Sequence, residues 1–412
     1  MTADDAGRRR VTTLYRQSTR SGWRPDFGVR HAVLDQIEDH AETIIASDAE
    51  STHRRRLSPA LVELFREIGL MRLVQPKRYG GFEADPRVFN EAMYAVSRLS
   101  PSAGWVTGVV GVHSWNLGLY EDRAQREVWG ENPDVWISSS YAPAGTAHRV
   151  AGGYELTGRW SFSSGSDYCD WAFVGGMVLA ADGPPLRHHF LVPRGDYEVV
   201  DVWHPSGLVG TGSNDLVAER VFVPGHRSLS VPDTNALRVP GREVNPGPLF
   251  GVPWFSILCN SVVVPLLGMA AAGVELALDT HRGKFEANPE TVPATLTLAR
   301  LTEATAAIDH ARGFLLHDVG DIYESVVAGR DLSIAQRMRS QRDHIVAVRM
   351  AIEAVDKAYQ SGGPRSIALA NRLQQIWRDA HAGEHHAMNL PDQAMPNFAR
   401  YLITGDPGAL PY

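Results

Sequence analysis

The residues able to do chemistry fall into a late histidine cluster and two short hydroxyl runs. Near the end of the chain, Arg378-Asp379-Ala380-His381-Ala382-Gly383-Glu384-His385-His386-Ala387 brings three imidazoles into one helical stretch. An imidazole titrates near neutrality and can take a proton from a hydroxyl; Ala387 can take none. His381 and His385 stand four residues apart, a spacing that could chelate a metal on one helix face. His-Glu-x-x-His is absent, however, and no third ligand is evident, so no metal site is expected. A further histidine, His113, lies in Gly111-Val-His-Ser-Trp115. The hydroxyl runs are Ser138-Ser139-Ser140-Tyr141 and Phe162-Ser163-Ser164-Gly165. No Gly-x-Ser-x-Gly elbow supports nucleophilic hydrolysis. No Gly-x-Gly-x-x-Gly follows a strand, which argues against a nicotinamide or other Rossmann-type site. Gly207-Leu-Val-Gly-Thr-Gly lacks that spacing and reads first as a turn connection.

The elements that must position these residues change in kind along the chain. Leu57 to Leu70 has apolar residues at helical spacing, with Ser58 as N-cap, Pro59 in the first turn and Gly69 as stop. Arg87–Leu99 and Gly104–Tyr120 continue the helical pattern, the latter rich in small and aromatic residues. From about Val135 the period shortens. Trp136–Tyr141, Trp171–Val178, His189–Val192 and Arg220–Val223 read as strands of an antiparallel β unit. A Pro- and Gly-rich connection spans Val231–Pro253, and helical periodicity then returns, with long amphipathic segments at Arg300–Leu316 and Ser333–Tyr359. The expected divisions are a helical domain at residues 1–133, a β domain at 134–240 and a helical bundle at 241–412.

Composition narrows the possibilities. The 412 residues are 44% apolar, with a net charge of -7, so they offer a large core and no basic footprint for nucleic acid. Arg8-Arg9-Arg10 and Arg54-Arg55-Arg56 are short and read as surface. Two cysteines, Cys169 and Cys259, cannot make a disulfide framework. Phe255–Leu278 is apolar but interrupted by Asn260, Pro265 and Glu275, and reads as a bundle-core helix rather than a membrane span. No secretory signal is visible, so a cytoplasmic location is expected.

Several blocks in one order carry a resemblance: Leu73-Val-Gln-Pro-Lys-Arg-Tyr-Gly-Gly, Gly104-Trp-Val with Gly111-Val-His-Ser-Trp, Ser138-Ser-Ser-Tyr-Ala-Pro, Trp160-Ser-Phe-Ser-Ser-Gly-Ser, Gly207-Leu-Val-Gly-Thr-Gly-Ser-Asn and Trp377-Arg-Asp-Ala-His-Ala-Gly. Over about Leu57 to Ala394 the chain resembles the two-component, reduced-flavin-dependent aromatic monooxygenases built on the acyl-CoA dehydrogenase fold, including those that hydroxylate phenolic secosteroids. The residues before about 30 and after Asn389 depart from the pattern. The resemblance implies an α+β architecture: an N-terminal helical domain, a central antiparallel β-barrel or sandwich, and a C-terminal four-helix bundle. In the dehydrogenases of this fold a glutamate follows the matched arginine by nine positions. Ala387 stands there, which disfavours an acyl-CoA dehydrogenase.

What the resemblance implies at the site follows residue by residue. His386 is expected as the base that deprotonates a phenol, and His113 as a positioning or oxygen-side donor, with Ser140 beside them. Ser138, Ser139, Tyr141, Ser163 and Ser164 are expected to line the isoalloxazine. Arg282, Gln360, Gly362 and Gly363 are expected to meet a flavin across a subunit interface, and Trp105 and Trp115 to wall an aromatic pocket. The implied cofactor is reduced FMN, with FAD as the other option, supplied by a separate NAD(P)H:flavin reductase. The implied reaction is hydroxylation of a phenolic or other electron-rich, polycyclic aromatic compound by O2 through a C4a-hydroperoxyflavin. An amine or amino-sugar N-hydroxylase, or an indole or sulfur oxygenase, is the alternative on the same fold. A homotetramer is expected, with no nucleic-acid or membrane partner.

Overall fold

A computed structural model describes residues 24–179, 183–391 and 394–408. The triplet Arg8-Arg9-Arg10 lies outside them. The N-terminal helices are α1 (Ala32–Asp39), α2 (Ala41–Arg54), α3 (Pro59–Glu67), α4 (Pro86–Leu99), α5 (Pro101–Leu117) and α6 (Asp122–Trp129). Their ends follow the sequence signals. The Ser58 hydroxyl accepts from the Leu61 N–H, Pro59 opens α3, and Gly69 beyond it takes a φ of 69°. Ser100 caps α5 in the same way.

Helix α5 has no polar face because it has no solvent face: it is packed on all sides. Glycine makes that possible. A Cβ on Gly108 would lie 2.1 Å from the Ser261 carbonyl oxygen, and one on Gly104 would lie 2.3 Å from the Ser97 Cα. Such approach fixes α5 between α4 and the first long helix of the C-terminal bundle, and it carries Trp105 and His113 into the interior.

The central layer is one seven-stranded sheet, ordered β5-β6-β2-β1-β3-β4-β7. The strands are β1 (Ile137–Val150), β2 (Gly153–Ser163), β3 (Trp171–Leu179), β4 (Leu186–Pro193), β5 (Glu198–Val200), β6 (Asn214–Pro224) and β7 (Ser228–Ser230). The expectation of a purely antiparallel unit needs one amendment, since β1 and β3 pair parallel. Their register shifts between Ser140 and Gly145, and β2 and β6 shift between Trp160 and Ser163. The first hydroxyl run therefore ends, and the second begins, at a β-bulge, which bends a strand and re-aims its side chains.

The C-terminal bundle comprises α7 (Asn260–Ala287), α8 (Thr295–Val327), α9 (Ile334–Ser361) and α10 (Arg372–Glu384), with α11 (Ala394–Thr404) against α9. A capping box of Ser333 and Gln336 starts α9. The apolar stretch Trp254–Ala287 is long enough to cross a membrane, but its most apolar window is wholly buried inside the protein. Within it Glu275 is held by Arg98 at 2.6 Å and Arg24 at 3.1 Å, so the buried carboxylate is paired.

Candidate active site

Two imidazoles and two bulges are the candidates for the site. His113, on the buried face of α5, donates its Nδ1–H to the Ile137 carbonyl at 2.6 Å. A carbonyl only accepts, so the neutral ring carries its lone pair on Nε2. Tyr141 stands 5.7 Å and Phe173 5.8 Å from the ring, both edge-on. Burial pushes the His113 pKa down to about 4, so the ring is neutral at physiological pH.

His386 follows the end of α10 and caps the short turn Ala387–Asn389, its Nδ1 accepting the Met388 N–H at 3.2 Å. The proton of the neutral ring then sits on Nε2. His386 is half-buried, and burial still pushes its pKa down to about 4. Its ring lies 5.8 Å from Trp105. The residue expected as the base, His386, thus keeps the proton of its neutral ring on Nε2, whereas His113 keeps its lone pair there.

The hydroxyl runs divide into committed and uncommitted members. Ser140 donates to the Ser161 carbonyl at 2.9 Å, tying the two bulges together. Ser164 lies 2.7 Å from the Ser213 hydroxyl and accepts from the Trp105 indole at 3.3 Å. Ser138 and Ser163 are fully buried; Ser138 is turned to the Cys169 thiol and the Tyr197 hydroxyl, and the Ser163 hydroxyl has no partner among the described residues. A buried hydroxyl without a partner costs free energy, which a ligand can recover. Ser139 is half-buried beside them. Tyr141 accepts from Asn116 at 2.7 Å and sits 4.5 Å from His189 and 5.4 Å from Trp254, in an aromatic wall.

Of the two predicted pocket tryptophans, only Trp105 reaches this region. Trp115 is fully buried and spends its N–H on the Leu249 carbonyl at 3.0 Å, so it is core rather than pocket. Arg282, Gln360, Gly362 and Gly363 gather where α7 and the end of α9 meet, joined by His281 and the Ser361 carbonyl at 2.9 Å. Gln360 and Gly363 are exposed there, and the Arg282 side chain is about half exposed. His381 lies 3.1 Å from both Asp356 and Glu384, and no metal-holding cluster occurs among the described residues.

Phe162, quoted from the sequence only as the first residue of a hydroxyl run, has features of its own. It is 70% exposed, it takes a φ of 66°, and it sits in the β2 bulge directly before the orphaned Ser163. A bulky residue held in the left-handed region is strained, and such strain collects at functional sites. Nothing in a Ser-Phe-Ser-Ser run announces a positive φ. For a flavin, these observations fit: an unpaired hydroxyl, an exposed aromatic ring and an arginine with neighbouring glycines for phosphate.

A mixed sheet set in the chain between two helical regions, with hydroxyl runs at its bulges and Ala387 where a carboxylate would serve a dehydrogenase, fits an oxygenase on the acyl-CoA dehydrogenase scaffold. Residues 261–391 match the family described as acyl-CoA dehydrogenase, C-terminal domain. The flavin-dependent monooxygenase oxygenase subunit HsaA of Rhodococcus jostii (strain RHA1) is 40% identical over 368 residues, which is 88% of this chain and 94% of that protein. The crystal structure of 3-HSA hydroxylase from Rhodococcus sp. RHA1 matches with a TM-score of 0.88 at 38% identity, covering 92% of this chain and 98% of that one. XiaF from Streptomyces sp., in complex with FADH2 and glycerol, matches with a TM-score of 0.82 at 27% identity, covering 92% and 96%. The chain belongs to the oxygenase subunits of two-component, flavin-dependent aromatic monooxygenases: it is an oxidoreductase that uses reduced flavin and O2.

Proposed function

We propose that the chain hydroxylates a phenol, most simply a polycyclic one, with His113 accepting from the phenol hydroxyl and His386 donating on the oxygen side. The opposite tautomers of the two imidazoles carry this reading. Trp105, the contact of His386, precedes His113 by eight residues on α5, about 12 Å along the helix, room for one planar ring system and its guest.

Magnitude decides what His113 does. Full transfer of a proton from a phenol of pKa about 10 to an imidazole near 4 costs about 8 kcal/mol. His113 therefore polarises the hydroxyl in the resting complex and takes the proton only as oxygen attack acidifies the ring. Reduced flavin, when bound, supplies the electrons that activate O2. The residues that would hold it are Ser163 through its uncommitted hydroxyl, Ser138, Ser139, Tyr141 and Phe162 around the ring, and Arg282, Gln360, Gly362 and Gly363 from a second copy. Ser140 and Ser164 fix the bulges that carry these groups. Trp105 borders the space, and the aromatic wall behind Tyr141 keeps water out.

FMN is proposed over FAD, a separate NAD(P)H:flavin reductase as its source, and the cytoplasm as the location. A homotetramer is proposed because Ile367 and Leu369, directly after the Gly362-Gly363 turn, expose apolar side chains that a second copy would cover. The test mixes the protein with chemically reduced FMN, air, and matched phenols, their methyl ethers, amines and indoles, with product read by mass spectrometry. Phenols should gain one oxygen while the ethers do not. Equal turnover of ethers and phenols would refute the assignment of His113.

A further inference from the structure

The Arg378-Asp379 pair lies at a distance from both imidazoles, yet the hydrogen bonds that start from it end beside one of them. Asp379, buried on α10, accepts the Leu208 N–H at 2.6 Å. Its other carboxylate oxygen has no partner among the described residues, an arrangement that costs stability and asks for a reason. Leu208 is held with a φ of 53°, and a Cβ on Gly207 would lie 2.2 Å from the Arg378 carbonyl oxygen. The loop is thus pressed against α10 and strained where Asp379 grips it.

From Leu208 the contacts run in one direction. Its carbonyl accepts the Thr211 hydroxyl at 2.8 Å. Thr211 and Ser213 hydroxyls lie 2.7 Å apart, as do those of Ser213 and Ser164. The Trp105 indole donates to Ser164 at 3.3 Å, and Trp105 stands beside His386. Because Thr211 spends its proton on Leu208, Ser213 must donate to Thr211 and Ser164 to Ser213, which leaves Ser164 to accept from Trp105. The Gly165 N–H also donates to the Thr211 carbonyl at 2.8 Å, so the same loop braces the backbone after Ser163.

We infer that Asp379 is a positioning residue: through the Leu208–Ser213 loop it sets the Ser164 bulge and the Trp105 indole that face the flavin and His386. The inference rests on the flavin reading of the site, and its test separates the two. In hydrogen exchange of the flavin-free protein, Asp379→Ala should speed exchange in residues 207–213 and also in 162–165, while Asp379→Asn, which keeps an acceptor oxygen, should restore both. Faster exchange confined to 207–213 would overturn the inference, as would failure of Asp379→Asn to rescue. The second arm measures hydrogen peroxide released from reduced FMN in air with no aromatic present. Asp379→Ala and Ser213→Ala, which cuts the chain midway, should each speed release on the order of tenfold, with Asp379→Asn near the parent. Parental release rates in both alanine variants would sink the inference even with the flavin reading intact. A parent that releases peroxide no more slowly than free FMN counts against the flavin reading, and the exchange arm still decides the role of Asp379.

Discussion

His113 and His386 are the same side chain with the same lowered pKa, and their hydrogen bonds leave opposite chemistry on the remaining ring nitrogen. One hydrogen bond makes the difference. The Ile137 carbonyl takes the proton side of His113, while the Met388 N–H takes the lone-pair side of His386. A strand fixes the first and a turn of the ring's own making fixes the second. Residue type and burial therefore do not assign a base; the partner of the inward nitrogen does.

Breaking the His113 side should have the largest effect. His113→Ala removes the acceptor for the phenol proton and should lower hydroxylation by roughly 10²- to 10⁴-fold, while the protein still slows the release of peroxide from reduced FMN. Single-turnover product yield with and without a phenol measures it. Retention of more than a tenth of the parental yield would show that the acceptor lies elsewhere. Breaking the other side should cost less. His386→Ala removes a donor and should lower the fraction of reduced flavin converted to product by about tenfold, the worth of one hydrogen bond to a charged group. His386→Gln, with a donor of its own, should recover part of it. If glutamine is no better than alanine, donation is not what His386 does.

The sequence pattern exposed the scaffold better than the site. Ser58 and Pro59, and the periodicity of Ser333–Tyr359, led to helices that start where the caps say. These are local signals, each worth a fraction to a couple of kcal/mol and independent of distant residues. The parallel pairing of β1 with β3 is non-local, and no alternation within either strand reveals it. Site residues suffered the same limit. Trp105 and Trp115 lie in one helix with similar neighbours, and what separates them is a non-local bond, the Trp115 indole N–H to the Leu249 carbonyl. The tautomers of His113 and His386 depend on carbonyl and amide groups 24 and 2 residues away.

The contrast between the tryptophans gives a smaller test. Trp115→Phe leaves the Leu249 carbonyl without its donor and should lower stability by about 1–3 kcal/mol, with product yield per folded molecule unchanged. Urea unfolding beside single-turnover yield distinguishes the two. A changed yield at equal folded fraction would return Trp115 to the pocket.

The smallest effect, and the most direct probe of the comparison, is in pH. With His113 near 4, its neutral form persists through the range where an ordinary imidazole would charge. Hydroxylation yield should then be level from about pH 8 down to about pH 5.5, with no acid limb at the ordinary histidine pKa of about 6.5. Stability should behave differently. His113, His188, His344 and His386 are pushed down to about 4 and His189 to about 3, all led by burial. As pH falls from about 6.5 towards 4, the unfolded chain takes up protons that the native imidazoles refuse, so these groups lose stability in that window. Asp318 and Asp379, raised by burial to about 7, work in the opposite sense, holding protons that the unfolded chain has released. Burial also lowers His31 and raises Asp167 and Asp309; the six lowered histidines outweigh the four raised carboxylates, so the urea midpoint should fall between pH 6.5 and 5 while the yield per folded molecule stays level. A yield that halves near pH 6.5 would mean that a histidine facing the substrate titrates normally, and the two-tautomer account would lose its acceptor.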